Sequence, residues 1–229
     1  MKKAVIFDLD NTLYDYDAAE RPAMEALVKR GSELLGVPGM EFSMHYEAAK
    51  TAVRARHAGR SEEHNRMLYC QKVVELLGKS PLLYAMELYD VYWDALLSRM
   101  ELYEGAMDFL KELKEKGIRI GICTDMTTHI QYRKIERLGI GPYIDCIVTG
   151  EEARCEKPNA VLFQMMLDKL GVMTQEAVYI GDSRERDVQG ALWNAILPVW
   201  FVADREHEEE EGILTVESYG DPRLRALFS

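Results

Sequence analysis

Two carboxylates separated by one residue, Asp8 and Asp10 in the run Asp8-Leu9-Asp10-Asn11-Thr12, follow a short apolar segment near the start of the chain. Like charges this close repel unless something positive stands beside them. A hard cation such as Mg²⁺ takes oxygen ligands and leaves room for a phosphate, so it answers that need. The same run also fits an Asp/Asn turn that simply stops a strand. Three further segments carry complementary chemistry. Cys123-Thr124-Asp125 offers a hydroxyl to an anion, and Glu156-Lys157-Pro158 offers a cation followed by a residue that stiffens its loop. Gly181-Asp182-Ser183-Arg184-Glu185-Arg186-Asp187 is a glycine turn carrying more acids. Each has an ordinary reading as a helix cap, a surface lysine or a polar turn. Jointly they supply the parts of a metal–phosphate site.

The elements that must position these residues are legible as short apolar, β-branched runs at 3–9, 118–123, 144–148, 177–180 and 197–202. Helical patterns lie between them: Ala106, Phe109, Leu110 and Leu113 before Gly117, and Phe163, Met166, Leu167 and Leu170 before Gly171. Strands alternating with helices predict an α/β, doubly wound parallel sheet, with the reactive residues at the carboxyl ends of its strands. Residues 17–100 break the alternation. Met24, Leu27 and Val28 with Leu34 and Leu35, then Cys70, Val73, Val74 and Leu77, then Leu88, Val91, Tyr92 and Ala95 all keep helical spacing. Ser80-Pro81 suits an N-cap followed by the first helical position. The expected organisation is a core of 1–16 and 101–229, with an all-helical insert of about four helices over 17–100.

The 229 residues, 48% hydrophobic and 29% charged, suffice for a sizeable core. A net charge of −11 argues against nucleic-acid binding, while a local basic pocket for a small phosphorylated substrate remains compatible with it. No apolar run approaches the roughly 20 residues of a membrane span. Cys70, Cys123, Cys146 and Cys155 form no CxxC pair and read as free thiols. The expected compartment is the cytoplasm, and the expected state is a monomer or homodimer. The charge run His207–Glu211 reads as a solvated loop.

The four reactive segments, in this order, resemble those of the haloacid dehalogenase superfamily, specifically its phosphatases. The resemblance spans the chain and includes Leu102-Tyr103-Glu104-Gly105, where such proteins return from cap to core. It implies a Rossmann-like core with a helical cap and a small phosphorylated metabolite as substrate. Asp8 would be the nucleophile that forms an aspartyl-phosphate, and Asp10 the acid that becomes the base. Mg²⁺ would be held by the Asp8 carboxylate, the Asp10 backbone carbonyl and Asp182, with Asp187 in support. Thr124, Lys157 and the backbone N–H of Asp125 would bind phosphate oxygens.

Two positions depart from the family pattern. Asp125 stands where Asn or Gly is common, and Ile196 stands where a glycine often ends the last core helix. The cap would read the rest of the substrate, and its densest basic stretch, residues 54–66, puts forward His64 and Arg66. Tyr14, Tyr16 and Asp17 lie where the family has its flap. The rival readings are a phosphomutase, a 2-haloacid dehalogenase, which needs neither metal nor acid, and a non-catalytic binding protein.

Overall fold

The computed structural model describes residues 2–203, 205–208 and 210–229, and it divides into two compact units. One comprises Met1–Asp15 with Glu101–Ser229, the other Tyr16–Met100. Glu209, within the His207–Glu211 charge run, lies outside the described residues, and most of the run's other members are exposed.

The first unit is an α/β layer structure. Its strands are β1 (Ala4–Phe7), β2 (Arg119–Thr124), β3 (Cys146–Thr149), β4 (Ala177–Gly181), β5 (Leu197–Phe201) and β6 (Leu214–Val216). All neighbours pair in parallel, in the order β3-β2-β1-β4-β5-β6. Strand order therefore reverses between β1 and β4, and that reversal opens the crevice in which sheets of this kind place a ligand.

Successive strand residues face opposite sides of the sheet. On one side Ala4 and Ile6 pack with Phe163, Met166, Leu167 and Leu170. On the other, Phe7 meets Phe109 and Tyr219, and Phe201 stacks on Tyr219. Both faces are thus covered, which is why β1 reads as a continuous apolar run with no alternation. The edge strand β6, Leu-Thr-Val, is too short to give a pattern of its own in the sequence.

The second unit holds α1 (Tyr16–Leu35), α2 (Gly39–Arg56), α3 (Arg66–Leu76) and α4 (Pro81–Arg99). The buried seam of α1 is Ala19, Ala23, Leu27, Gly31 and Leu35, a run at i, i+4. Met24, Val28 and Leu34, which the apolar pattern favours, are only partly covered. Small residues win because the partner side chains are large: a Cβ on Gly31 would stand 2.3 Å from the Phe42 ring. Phe42, Tyr46, Tyr69, Tyr92 and Trp93 form the aromatic filling of this unit.

The core helices are α5 (Ala106–Glu115), α6 (Thr128–Leu138), α7 (Gly150–Ala153), α8 (Ala160–Leu170), α9 (Gln189–Trp193) and α10 (Pro222–Ala226). The turn after α9 takes its left-handed conformation at Ala195, with φ 56°, so Ile196 is free to fill the core. No helix of the described residues is long and apolar enough to cross a membrane.

Candidate active site

Asp8 is the first residue beyond β1, and its N–H still bonds the Ile180 carbonyl of β4 at 2.9 Å. Asp182 is the first residue beyond β4. The register that pairs Phe7 with Ile180 thus sets the two carboxylates side by side at the crevice. Asp187 is brought back to them by the helical turn Arg184–Val188. Gly181 makes this approach possible, because a Cβ there would lie 2.4 Å from the Asp187 carboxyl carbon. Asp8, Asp182 and Asp187 each offer an oxygen within 4.8 Å of the others. An all-carboxylate oxygen set of this size fits a hard divalent cation.

Lys157, buried to 6% exposure, ties the cluster together. Its Nζ donates to Asp8 at 2.5 Å and to Asp187 at 2.6 Å. Burial alone would lower its pKa, but Asp187 and Asp8 hold it well above the usual lysine value. Asp8 is raised well above the usual carboxylate range by burial, against the pull of Lys157, and further by Asp187, Asp182 and Asp10. Within the three-acid cluster Asp8, Asp182 and Asp187 face two cations, Lys157 and Arg205, which leaves an excess of negative charge that a bound cation would offset. Asp187 also accepts from the Tyr179 hydroxyl at 3.1 Å and the Ser183 N–H at 2.9 Å. Both oxygens of Asp187 are thus engaged, as are both of Asp8, through Lys157 and the Thr12 hydroxyl.

Asp182 accepts from Arg205 at 2.7 Å, and the same guanidinium reaches the Asn11 carbonyl at 3.3 Å. In the turn after β1, Asn11 has φ 61°, a conformation that Asn tolerates better than most residues. The turn also lets Thr12 donate its hydroxyl to Asp8 at 3.2 Å.

The Asp10 carboxylate stands apart from the three-acid cluster. It accepts from Lys134 Nζ, 2.7 Å from each oxygen, and from the Tyr14 hydroxyl at 2.5 Å. Burial would raise its pKa, but Lys134 outweighs that and the net shift is downward. Both oxygens of the Asp10 side chain are thus taken up by a cation of the chain itself. Thr124, buried at the end of β2, accepts from Gln131 Nε2 at 2.7 Å. The Asp125 side chain accepts the Lys157 N–H at 2.8 Å and faces Arg186 at 3.4 Å. The additional charge at this position is thus matched by an arginine from the turn after β4.

The other substrate-contact residues named from sequence, His64 and Arg66, belong to the helical unit. Arg66 is buried and donates to Glu20, Tyr16, Tyr92 and the His64 carbonyl, so its guanidinium is engaged within the helical unit itself. Tyr16 belongs to that network, while Tyr14 is buried in the core unit and bonds Asp10. His129 is exposed. Sequence reasoning passed over Gln131, Lys134, Tyr179, Arg186 and Arg205. A signal did exist for Lys134, which interrupts the apolar stripe Ile130–Lys134–Leu138 at i, i+4 spacing on α6.

The family model described as haloacid dehalogenase-like hydrolase matches residues 2–193. The chain belongs to this family. Over 213 residues it is 38% identical to the ribulose-1,5-bisphosphate 5-phosphatase of Halopiger xanaduensis, covering 92% of this chain and 89% of that protein. It is 25% identical to the glyceraldehyde 3-phosphate phosphatase of Methanocaldococcus jannaschii, over 99% and 94% of the two chains. Among solved structures, a haloacid dehalogenase-family phosphatase from Thermococcus onnurineus superposes with a TM-score of 0.76 at 22% identity, covering 100% and 98%. That likeness concerns the fold, and it agrees with the doubly wound sheet expected from the sequence.

Proposed function

We propose that this haloacid dehalogenase-like hydrolase cleaves a small phosphorylated metabolite through an aspartyl-phosphate on Asp8, with Mg²⁺ as cofactor. The chain is a phosphomonoester hydrolase of its family, akin to phosphatases of short phosphorylated sugars over nearly its full length. Compounds of that class are the first substrates to try. The observation that carries the mechanism is the buried Lys157 held between Asp8 and Asp187 at the switch point of the sheet.

Lys157 keeps the Asp8 carboxylate oriented and, with the Thr124 hydroxyl and the Asp125 N–H, would receive the phosphate oxygens. Asp8 attacks phosphorus and the ester oxygen leaves with a proton from Asp10, which Lys134 holds ionised in the free site and which would therefore take up that proton from solvent or from the phosphate ester as substrate binds. Asp10 then takes a proton from the water that hydrolyses the aspartyl-phosphate, which returns Asp8 as a carboxylate and Asp10 in its protonated form. Bound at Asp8, Asp182 and the Asp10 carbonyl, Mg²⁺ would screen the anionic nucleophile from the anionic substrate. The helical unit, residues 16–100, would act as the cap that reads the leaving group, with His64 a candidate contact and Arg66 a fastening of the cap itself.

A dehalogenase reading is disfavoured because attack on carbon needs neither a metal nor an acid for an alkoxide leaving group, which leaves the acid cluster and Asp10 without a part in the reaction. The test is hydrolysis of an aryl phosphate with and without Mg²⁺, beside Asp8→Asn. Turnover that needs the metal and vanishes in the variant supports the reading. Metal-independent turnover that survives Asp8→Asn refutes it.

A further inference from the structure

The reaction outlined above leaves two fully buried polar side chains of α6 without a role. Gln131 and Lys134 both have 0% exposure and lie one turn apart on the same helix face. Lysine almost never enters a protein interior unpaired. Here its partner, 124 residues away in the sequence, is Asp10, and the ammonium reaches both oxygens at 2.7 Å. Gln131 gives its amide N–H groups to the Thr124 hydroxyl at 2.7 Å and the Asp125 carbonyl at 3.0 Å, and its side chain also hydrogen-bonds the Asp10 carboxylate. Its Oε1 is buried with no partner among the described residues.

Apolar side chains of similar volume usually pack such an interior at equal or lower cost than an ion pair. Stability alone therefore gives no reason for this arrangement, and geometry does. The Asp10 carboxylate, with both oxygens on one ammonium and one also on Tyr14, has a single orientation. The Thr124 hydroxyl is fixed by the same helix. We infer that Gln131 and Lys134 are positioning residues. Through them α6 acts as one rigid bar that registers the phosphate-binding hydroxyl against the group that moves the proton. This rests on the role of Asp10 in the proposed hydrolysis.

Misplacing a reacting group by about 1 Å costs on the order of 100-fold in rate. The loss should also depend on the leaving group, since an alkoxide needs its proton far more than an aryloxide does. The experiment compares the full chain with Lys134→Met, Lys134→Arg and Gln131→Leu, with Mg²⁺, on one aryl and one alkyl phosphate. For Lys134→Met the expected loss in kcat is about 100-fold on the alkyl ester and about tenfold on the aryl ester. KM should stay within about threefold, in keeping with a loss confined to the transition state.

Lys134→Arg should restore part of the alkyl rate. Gln131→Leu should shift the alkyl-to-aryl ratio in the same direction with a smaller amplitude. Equal losses on both esters, or none, in protein that melts like wild type would overturn the inference. If Lys134→Met does not fold, Gln131→Leu, which strands no charge, decides by the same criterion. Wild-type silence on both esters would instead refute the hydrolase reading, so the two failures are distinguishable.

Discussion

Replacing Lys157 by Met removes the one cation shared by two buried carboxylates, and its consequences follow from the geometry. The lysine and both partners are nearly inaccessible, with side-chain exposures of 3%, 7% and 1% for Lys157, Asp8 and Asp187. Breaking a buried ion pair by removing one member costs about 3–5 kcal/mol, because the remaining charge stays uncompensated. Two stranded carboxylates put this case near the upper end, about 5 kcal/mol. In a chain of 229 residues, that corresponds to a fall in Tm of roughly 10–20 °C.

A divalent cation should partly replace the missing charge. Mg²⁺ is therefore expected to raise the Tm of Lys157→Met by more than it raises that of wild type. A site filled at a hundredfold excess over Kd returns about 2.7 kcal/mol. Turnover should stay at least about 100-fold below wild type even with metal, since the phosphate loses an oriented donor. Thermal melts of both proteins across a Mg²⁺ titration, followed by aryl phosphate hydrolysis, supply the readout. A fall in Tm below about 3 °C, or a larger metal-induced gain in wild type, would refute the electrostatic account of the site.

Elsewhere in the molecule, Gly31→Val should destabilise the helical unit by about 2 kcal/mol, because Phe42 occupies the space a side chain needs; urea melts would register it. Burial would raise Glu20, yet Arg66 and the Tyr16 and Tyr92 hydroxyls hold it below its ordinary 4.5. Its contribution to stability is therefore present above that value and lost as pH falls toward its depressed folded value. Acid melts of Glu20→Gln should lack this component of the wild-type pH dependence. Cys70, pushed up to about 12 by burial, and Cys123, pushed higher still by the same cause, should resist alkylation at pH 8 until the chain unfolds. Mass spectrometry of native and denatured samples would count the modified thiols.

The parts of the fold and site that were legible in the sequence are those where one strong constraint acts on consecutive residues. Strands buried on both faces announce themselves as apolar runs, and Asp8, Thr124 and Asp182, which the resemblance singled out, stand at or just beyond strand ends, while Lys157 lies past β3 and α7. Contacts that depend on shape stayed hidden. The α1 seam runs through small residues because its neighbours are aromatic, which no hydrophobic pattern encodes. Arg66 reads in the sequence as a substrate contact, whereas in the structure Glu20 and two tyrosines surround it. Lys134 stood in plain view within an apolar stripe, but its partner lies on another element. Asp125 departs from the family pattern in the sequence, and its partner Arg186 lies 61 residues on.

The measurement that tests the central claim most directly is rapid-quench trapping of the wild-type protein turning over an aryl phosphate in Mg²⁺, followed by peptide mapping. The account predicts a phosphoryl group on the peptide that carries Asp8, formed and lost at rates compatible with turnover, and absent from Asp8→Asn. A phosphoryl group on any other residue, or steady turnover by Asp8→Asn, would contradict it.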